Sequence, residues 1–221
     1  MTPSISSVYD ALVAHVATEA FSDLVSPVRA SFTRRVGPFS PADPWFEERS
    51  AALWDRVLTT RAVLDRAAAA PPASFGREHV AALGALGRAQ RGLFEVHASR
   101  EGVDLFCLAS GAAFRLAPAD DAARGLATMP SGAGGGDDVA LGLIDGRVVP
   151  TAEGVAILPG MLIHPAEAHE PIAAVLARAR ALAMPGDDLL DSLLAMRHRH
   201  GSLSRMKAKQ VYRVEALGTP S

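Results

Sequence analysis

Apolar residues along this chain change their repeat twice, and that limits the folds open to it more than any single motif does. Over residues 7–35 they fall at Val8, Leu12, Val16, Phe21, Leu24, Val25, Val28 and Phe32. Steps of three and four line one face of a helix, so period 3.6 fits better than period 2. Between about 92 and 163 the pattern shortens to strand-length segments at 93–98, 103–108, 112–116, 139–144, 147–150 and 154–158, separated by turn residues. From Pro165 onward the helical repeat returns, with Ile172, Val175, Leu176, Ala179 and Leu182 on one stripe. Helices, then strands, then helices, with no strand–helix alternation, predict an α+β class and argue against a Rossmann-type fold. The expected organisation is a helical region at 1–90, an antiparallel sheet or small barrel at 91–164, and a C-terminal helical region at 165–221 that packs back. A chain of 221 residues can bury all three in one compact domain.

Turn and cap residues place the breaks. Pro27 is expected to kink or split the first helix. Asp43 and Pro44 read as the N-cap and first residue of a second helix that Pro71-Pro72 ends, and Ser74 as the cap of a shorter one running to Gln90. Asp145-Gly146 is a strong hairpin-turn signal. His164 and Pro165 look like the cap and first position of the next helix. Asp187 or Asp188 caps the one after that, Gly201 ends it, and Ser202 starts a final short helix.

Composition excludes several classes. The only cysteine, Cys107, rules out an internal disulfide and a Cys-rich zinc site, and its apolar strand setting marks it as a buried, inert thiol. The first ten residues hold no basic residue and no apolar run, so no secretory leader is expected, and no stretch nears the ~18 apolar residues of a membrane span. A reducing, cytoplasmic setting is the expectation. Aromatics are only 5%, against 42 Ala, and 20 Arg stand against 2 Lys, a bias that suits a GC-rich genome better than phosphate recognition.

Charge is unevenly spread. Residues 197–213 hold Arg197, Arg199, Arg205, Lys207, Lys209 and Arg213 and no acid, hence +6; the chain total of −2 then leaves −8 elsewhere. Arg205, Lys209 and Arg213 are four apart and share a face if a helix persists there. Such a face could touch nucleic-acid phosphates, although Tyr212 is the only nearby aromatic for stacking.

Other candidate chemistry is sparse. His164, Glu167 and His169 could ligate a metal, but His169 is five residues from His164 and leaves the shared helical face, so helix capping reads better than an HExxH-like site. The Gly-rich stretch 131–136 lacks the Lys-Ser/Thr ending of a phosphate loop. Ser204-x-x-Lys207 matches an acyl-enzyme pattern without its partner motifs. Asp104, Asp120, Asp121, Asp137, Asp138 and Asp145 read as turn carboxylates, and no catalytic acid–base pair can be nominated. Trp45 and Trp54, nine apart, lie on opposite sides of a helix, so one of them is a candidate for contact with a partner.

Leu93-Phe94-Glu95-Val96, Asp104-Leu105, Ser110-Gly111, Phe114-Arg115-Leu116, Leu158-Pro159-Gly160 and His164-Pro165 together resemble a β-rich module of uncharacterised bacterial proteins. Some of those carry a SEC-C type metal motif, which one cysteine cannot supply. The resemblance covers residues 92–164. It implies a small β-rich domain flanked by helices, and no activity.

The expected function is therefore non-catalytic: a cytosolic protein-interaction or scaffold protein using Trp45 or Trp54, with no cofactor, no membrane contact and room for a homo-oligomer. The alternatives are nucleic-acid association through Arg205, Lys209 and Arg213, and a metal protein or enzyme at His164, Glu167 and His169.

Overall fold

The computed structural model describes residues 5–99, 102–118, 120–127, 139–203 and 205–217. It is an α+β protein whose sheet is curled into a half-barrel between two sets of helices.

Five helices come first: α1 (Ile5–Val16), α2 (Ser22–Val36), α3 (Phe46–Leu58), α4 (Arg61–Ala69) and α5 (Arg77–Leu86). The first break falls between Val16 and Ser22, not at Pro27, which sits inside a continuous α2. Losing one backbone hydrogen bond there is tolerated because Val25, Phe32 and Val36 bury the helix on both sides of it. A further break separates α3 from α4. The Thr59 and Thr60 hydroxyls there donate back to the carbonyls of Asp55 (2.7 Å) and Arg56 (2.9 Å), a competition that loosens helix ends. Asp43 acts two residues earlier than expected, its carboxylate accepting the N–H of the cap residue Trp45 at 2.8 Å. Gly76, not Ser74, precedes α5.

The strands are β1 (Gln90–Ser99), β2 (Gly102–Cys107), β3 (Ala113–Arg115), β4 (Val139–Pro150), β5 (Val155–Ile157) and β6 (Leu162–His164), with a short helix α6 (Asp121–Ala127) before β4. All pairings are antiparallel in the order β3-β2-β1-β4-β5, and β6 adds to β4 beside β5. The Asp145-Gly146 turn is overturned. β4 runs straight through both residues, paired to β1 at Leu93 and Gly92. Partners along both edges of β4 outweigh the local turn preference of an Asp-Gly pair. The true hairpin lies at Thr151–Gly154, where the Thr151 N–H donates to the Gly154 carbonyl at 2.9 Å.

A bridge between Leu116 and Val155, with the Ala117 N–H donating to the Val155 carbonyl at 2.8 Å, draws the β3 and β5 edges together. Gly154 makes this approach possible. Its φ is +141°, and an added Cβ would lie 2.4 Å from the Arg115 carbonyl oxygen. Gly154→Ala is accordingly expected to cost about 1–3 kcal/mol, read as a lower urea midpoint at unchanged slope.

Inside the curl, Phe94, Val96, Leu105, Cys107, Ile144 and Val148 pack with Leu126 of α6. Outside it, Val149, Leu158 and Leu162 join the core of α1–α5. Leu93 and Leu143 join the core of the C-terminal helices α7 (His169–Ala181), α8 (Gly186–Ser202) and α9 (Ala208–Val211). Gly201 lies within α8 rather than after it, and Pro185 precedes the helix in place of an Asp cap. His164 is a strand residue, and Pro165 caps a 3-10 turn before α7.

Candidate functional site

Between those two outer cores the sheet presents charge to the helices instead of apolar side chains. Alternate residues of a strand face opposite sides. With Phe94, Ile144 and Val148 turned inward, Arg91, Asp145 and Arg147 face the helices. Arg91 stands directly opposite Arg147, a like-charge pairing that destabilises a sheet unless anions intervene. Asp145 and Asp191 offset the charge on the Arg91 side of the pair. Arg91 grips Asp145 through Nε (3.1 Å) and Nη2 (2.8 Å), and its Nη1 donates to Asp191 at 2.5 Å. The other oxygen of Asp191 accepts Nη1 of Arg56 at 2.6 Å. Arg35 reaches Asp188 at 2.5 Å, one turn before Asp191 on α8. Burial opposes the charge on Arg91, yet the two carboxylates hold it above the ordinary arginine value. The network therefore ties α2, α3 and α8 to the two central strands.

Asp55 of α3 is the exception. It is 0% exposed, and among the described residues its carboxylate accepts only from neutral donors, the Tyr9 hydroxyl at 2.7 Å and the Gly160 N–H at 3.1 Å. Burial pushes its carboxyl up to about 7, although Tyr9, Arg147 and the Gly160 N–H all act to lower it. Burial and the adjacent Asp55 raise the Tyr9 phenol well above its usual range. Gly160 has no room for a side chain: its Cβ would lie 2.6 Å from Asp55 Oδ2 and 2.7 Å from Ala52 Cα. The side chain of Arg147, a residue 9% exposed, makes no hydrogen bond or ion pair among the described residues, whereas its backbone carbonyl accepts the Leu158 N–H at 2.9 Å. Burial and Arg91 lower its pKa, with Asp55, Asp145 and Asp187 acting against them.

The expected metal candidates do not converge; among the described residues no three His, Cys, Asp or Glu side chains are grouped to hold an ion. His164 is 2% exposed, with Nδ1 at 3.1 Å from the Tyr212 hydroxyl. Glu167 points outward, 4.0 Å from His200 Nε2, and His169 begins α7. Burial lowers His164 to about 3 and His198 to about 4, so both imidazoles are neutral near pH 7. Among the described residues, Nε2 of His164 and both ring nitrogens of His198 are buried without a hydrogen-bond partner.

The tryptophans are half-buried. Trp45 packs on α8, where Arg197 stacks 4.6 Å from its ring and a Cβ on Gly201 would collide with it at 2.2 Å. Trp54 packs on the N-terminal core. The basic segment is not one helix, since α9 has only four residues and Lys207 caps it. Arg205, Lys209 and Arg213 are nevertheless all exposed, as are Arg199 and Lys207, and none of the five makes an ion pair among the described residues. Tyr212, the aromatic among them, is 2% exposed. The Gly-rich stretch 131–136, Asp137, Asp138 and Ser204 lie outside the described residues.

Sequence reasoning missed Tyr9, Asp55, Arg91, Arg147 and Asp191, and misplaced Asp145. One signal was available: Asp191 interrupts the run Leu189, Leu190, Leu193, Leu194, and Asp145 and Arg147 interrupt an otherwise apolar strand. A charge on an apolar face needs a buried partner. Comparison with protein-family models, with curated proteins and with solved structures returned no match.

Proposed function

We propose that this chain is a non-catalytic binding protein that takes an acidic protein segment on the surface around residues 197–213. The observation that carries this reading is the set of five exposed cations, Arg199, Arg205, Lys207, Lys209 and Arg213, with no ion pair among the described residues. Two of the few exposed large apolar side chains belong to this region: Leu203, 38% exposed, within the segment, and Ile163, 37% exposed, beside Arg197, whose Nε donates to its carbonyl at 2.8 Å. Cations interleaved with aliphatics suit a protein partner. Base stacking needs exposed aromatics, and here Tyr212 is buried while Trp45 lies under Arg197. The −8 carried by the rest of the chain also opposes a polyanion as long as a nucleic acid.

Fluorescence anisotropy tests this with two labelled probes of matched charge, an acidic peptide containing Leu and Ile and a duplex oligonucleotide. The peptide is expected to bind. Joint Arg205→Gln, Lys209→Gln and Arg213→Gln replacement is expected to weaken it about tenfold, ~1.4 kcal/mol, and Leu203→Ser to weaken it at constant charge. Binding of the oligonucleotide alone, indifferent to Leu203→Ser and falling steeply with salt, would replace this reading with nucleic-acid association. Binding of neither probe sinks both.

A further inference from the structure

Trp45 is half-buried, and what covers it belongs to the chain itself. Its ring meets three residues near the end of α8. The Arg197 guanidinium carbon lies 4.6 Å from the ring centroid, the His198 ring lies 6.0 Å away, and Gly201 approaches so closely that no side chain fits between them. Indole offers the best aromatic face for a guanidinium. Arg197 also donates Nε to the Ile163 carbonyl at 2.8 Å. The end of α8 is therefore held from two sides, by the indole and by β6.

The indole is itself anchored. The Trp45 N–H donates to Asp43 Oδ1 at 2.8 Å, and the other Asp43 oxygen accepts Arg49 Nη1 at 2.9 Å. Nη2 of Arg49, a residue 6% exposed, donates to the Val36 and Gly37 carbonyls at 2.9 and 2.7 Å. A path of hydrogen bonds thus runs from the end of α2 to the start of α3, and the ring carries it to α8. There the Leu203 N–H donates to the His200 carbonyl at 3.2 Å, and the Ser202 hydroxyl to the His198 carbonyl at 2.9 Å. Arg199 and Leu203, both exposed, are four residues apart at this helix end and lie on one side of it.

We infer that Trp45 is a positioning residue of the docking surface, acting through Arg197 and Gly201 to hold the end of α8 so that Arg199 and Leu203 meet an acidic segment already in place. This rests on the reading of residues 197–213 as that surface. Helix ends fray. Without the indole, this one would have to be ordered at the moment of binding, and the ordering would be taken from the affinity. The C-terminal residues set the chemistry of the partner, and α2 and α3 set the geometry in which it is met.

The labelled acidic peptide containing Leu and Ile tests the inference, its dissociation followed by anisotropy under conditions where far-UV circular dichroism shows every variant folded. Trp45→Leu is expected to weaken binding about fivefold, the size of an exposed cation–π contact. The loss should lie in faster dissociation at unchanged salt dependence, since no charge leaves the surface. Gly201→Ala, which displaces the ring while residue 45 stays Trp, is expected to do the same. Trp45→Phe keeps an aromatic face and should stay within about twofold. Trp45→Leu combined with Gly201→Ala should bind no more weakly than either alone. Affinity unmoved by both single variants, or losses that add in the combined one, overturns the inference and leaves the binding reading standing. Failure of the intact protein to bind the peptide sinks the binding reading and the inference with it. The tether also has a readout without peptide. The Arg197 Cδ protons of the intact protein are expected upfield under the indole ring current, and to lose that shift in Gly201→Ala. An ordinary chemical shift in the intact protein would overturn the tether directly.

Discussion

Arg91→Met is expected to lower the free energy of unfolding by about 3–5 kcal/mol, the range for breaking a buried ion pair from one side. The side chain is 8% exposed and makes three charge-assisted hydrogen bonds, two to Asp145 and one to Asp191. Removing it leaves Asp145, 3% exposed, without a cation in contact, and strips Asp191, 1% exposed, of one of its two hydrogen-bonded arginines. Met fills much of the volume, so the loss is electrostatic more than a cavity. Arg91→Lys keeps the charge but cannot span both carboxylates with a planar fork, and an intermediate loss is expected. The combination Arg91→Met with Asp145→Leu is expected to recover much of the single-variant loss, because two uncompensated groups leave the interior together. Urea unfolding of the three variants checks this. A loss below about 1 kcal/mol for Arg91→Met would mean that the layer behaves as a solvated surface.

The second large effect is in pH. His164 and His198 have folded values of about 3 and about 4, depressed first by burial, against about 6.5 in an unfolded chain. A depressed folded value means stability that is fully present above about 6.5 and lost as pH falls toward the folded values. Asp55 has the opposite sign. Its folded value of about 7 lies above the ordinary 3.8 of an aspartate, so its contribution is full below 3.8 and lost as pH rises through 7. At about pH 5 the unfolded chain holds two protons on the imidazoles that the folded chain lacks, and the folded chain holds one on Asp55 that the unfolded chain lacks. The balance is one proton in favour of unfolding, worth about 1.4 kcal/mol per pH unit. Stability from these three groups is therefore expected to fall toward acid at that slope. Asp55→Asn should double the slope, and joint His164→Asn and His198→Asn replacement should reverse its sign. Urea midpoints between about pH 4.5 and about pH 6 give the slopes directly; the same slope in all three proteins would defeat the assignment of protons.

The α+β class and the order of its regions were legible because period is local. Val8, Leu12 and Val16 mark a helix whatever surrounds them, and the three are at most 1% exposed. Leu105 and Cys107 point into the sheet's curl as their alternation requires. The charged layer follows no local rule. Arg91 meets Asp145 across 54 positions and Asp191 across 100, and Arg56 meets Asp191 across 135. Nothing within a few residues of Asp145 distinguishes a carboxylate that turns a hairpin from one that salt-bridges mid-strand. That choice belonged to β1, whose register places Leu93 opposite Asp145 and Arg91 opposite Arg147. His164 likewise changed from helix cap to strand because Leu143 offered it a ladder partner.

What the chain decided by itself is thus where helices and strands lie and which of their faces are apolar, since neighbours one to four residues apart set both. Which charges are buried, which carboxyl keeps its proton and which arginine spans two carboxylates were decided by the packing of α1, α3 and α8 on β1 and β4. Burial removes the water that would otherwise screen those charges, and only the assembled structure determines which groups lose it.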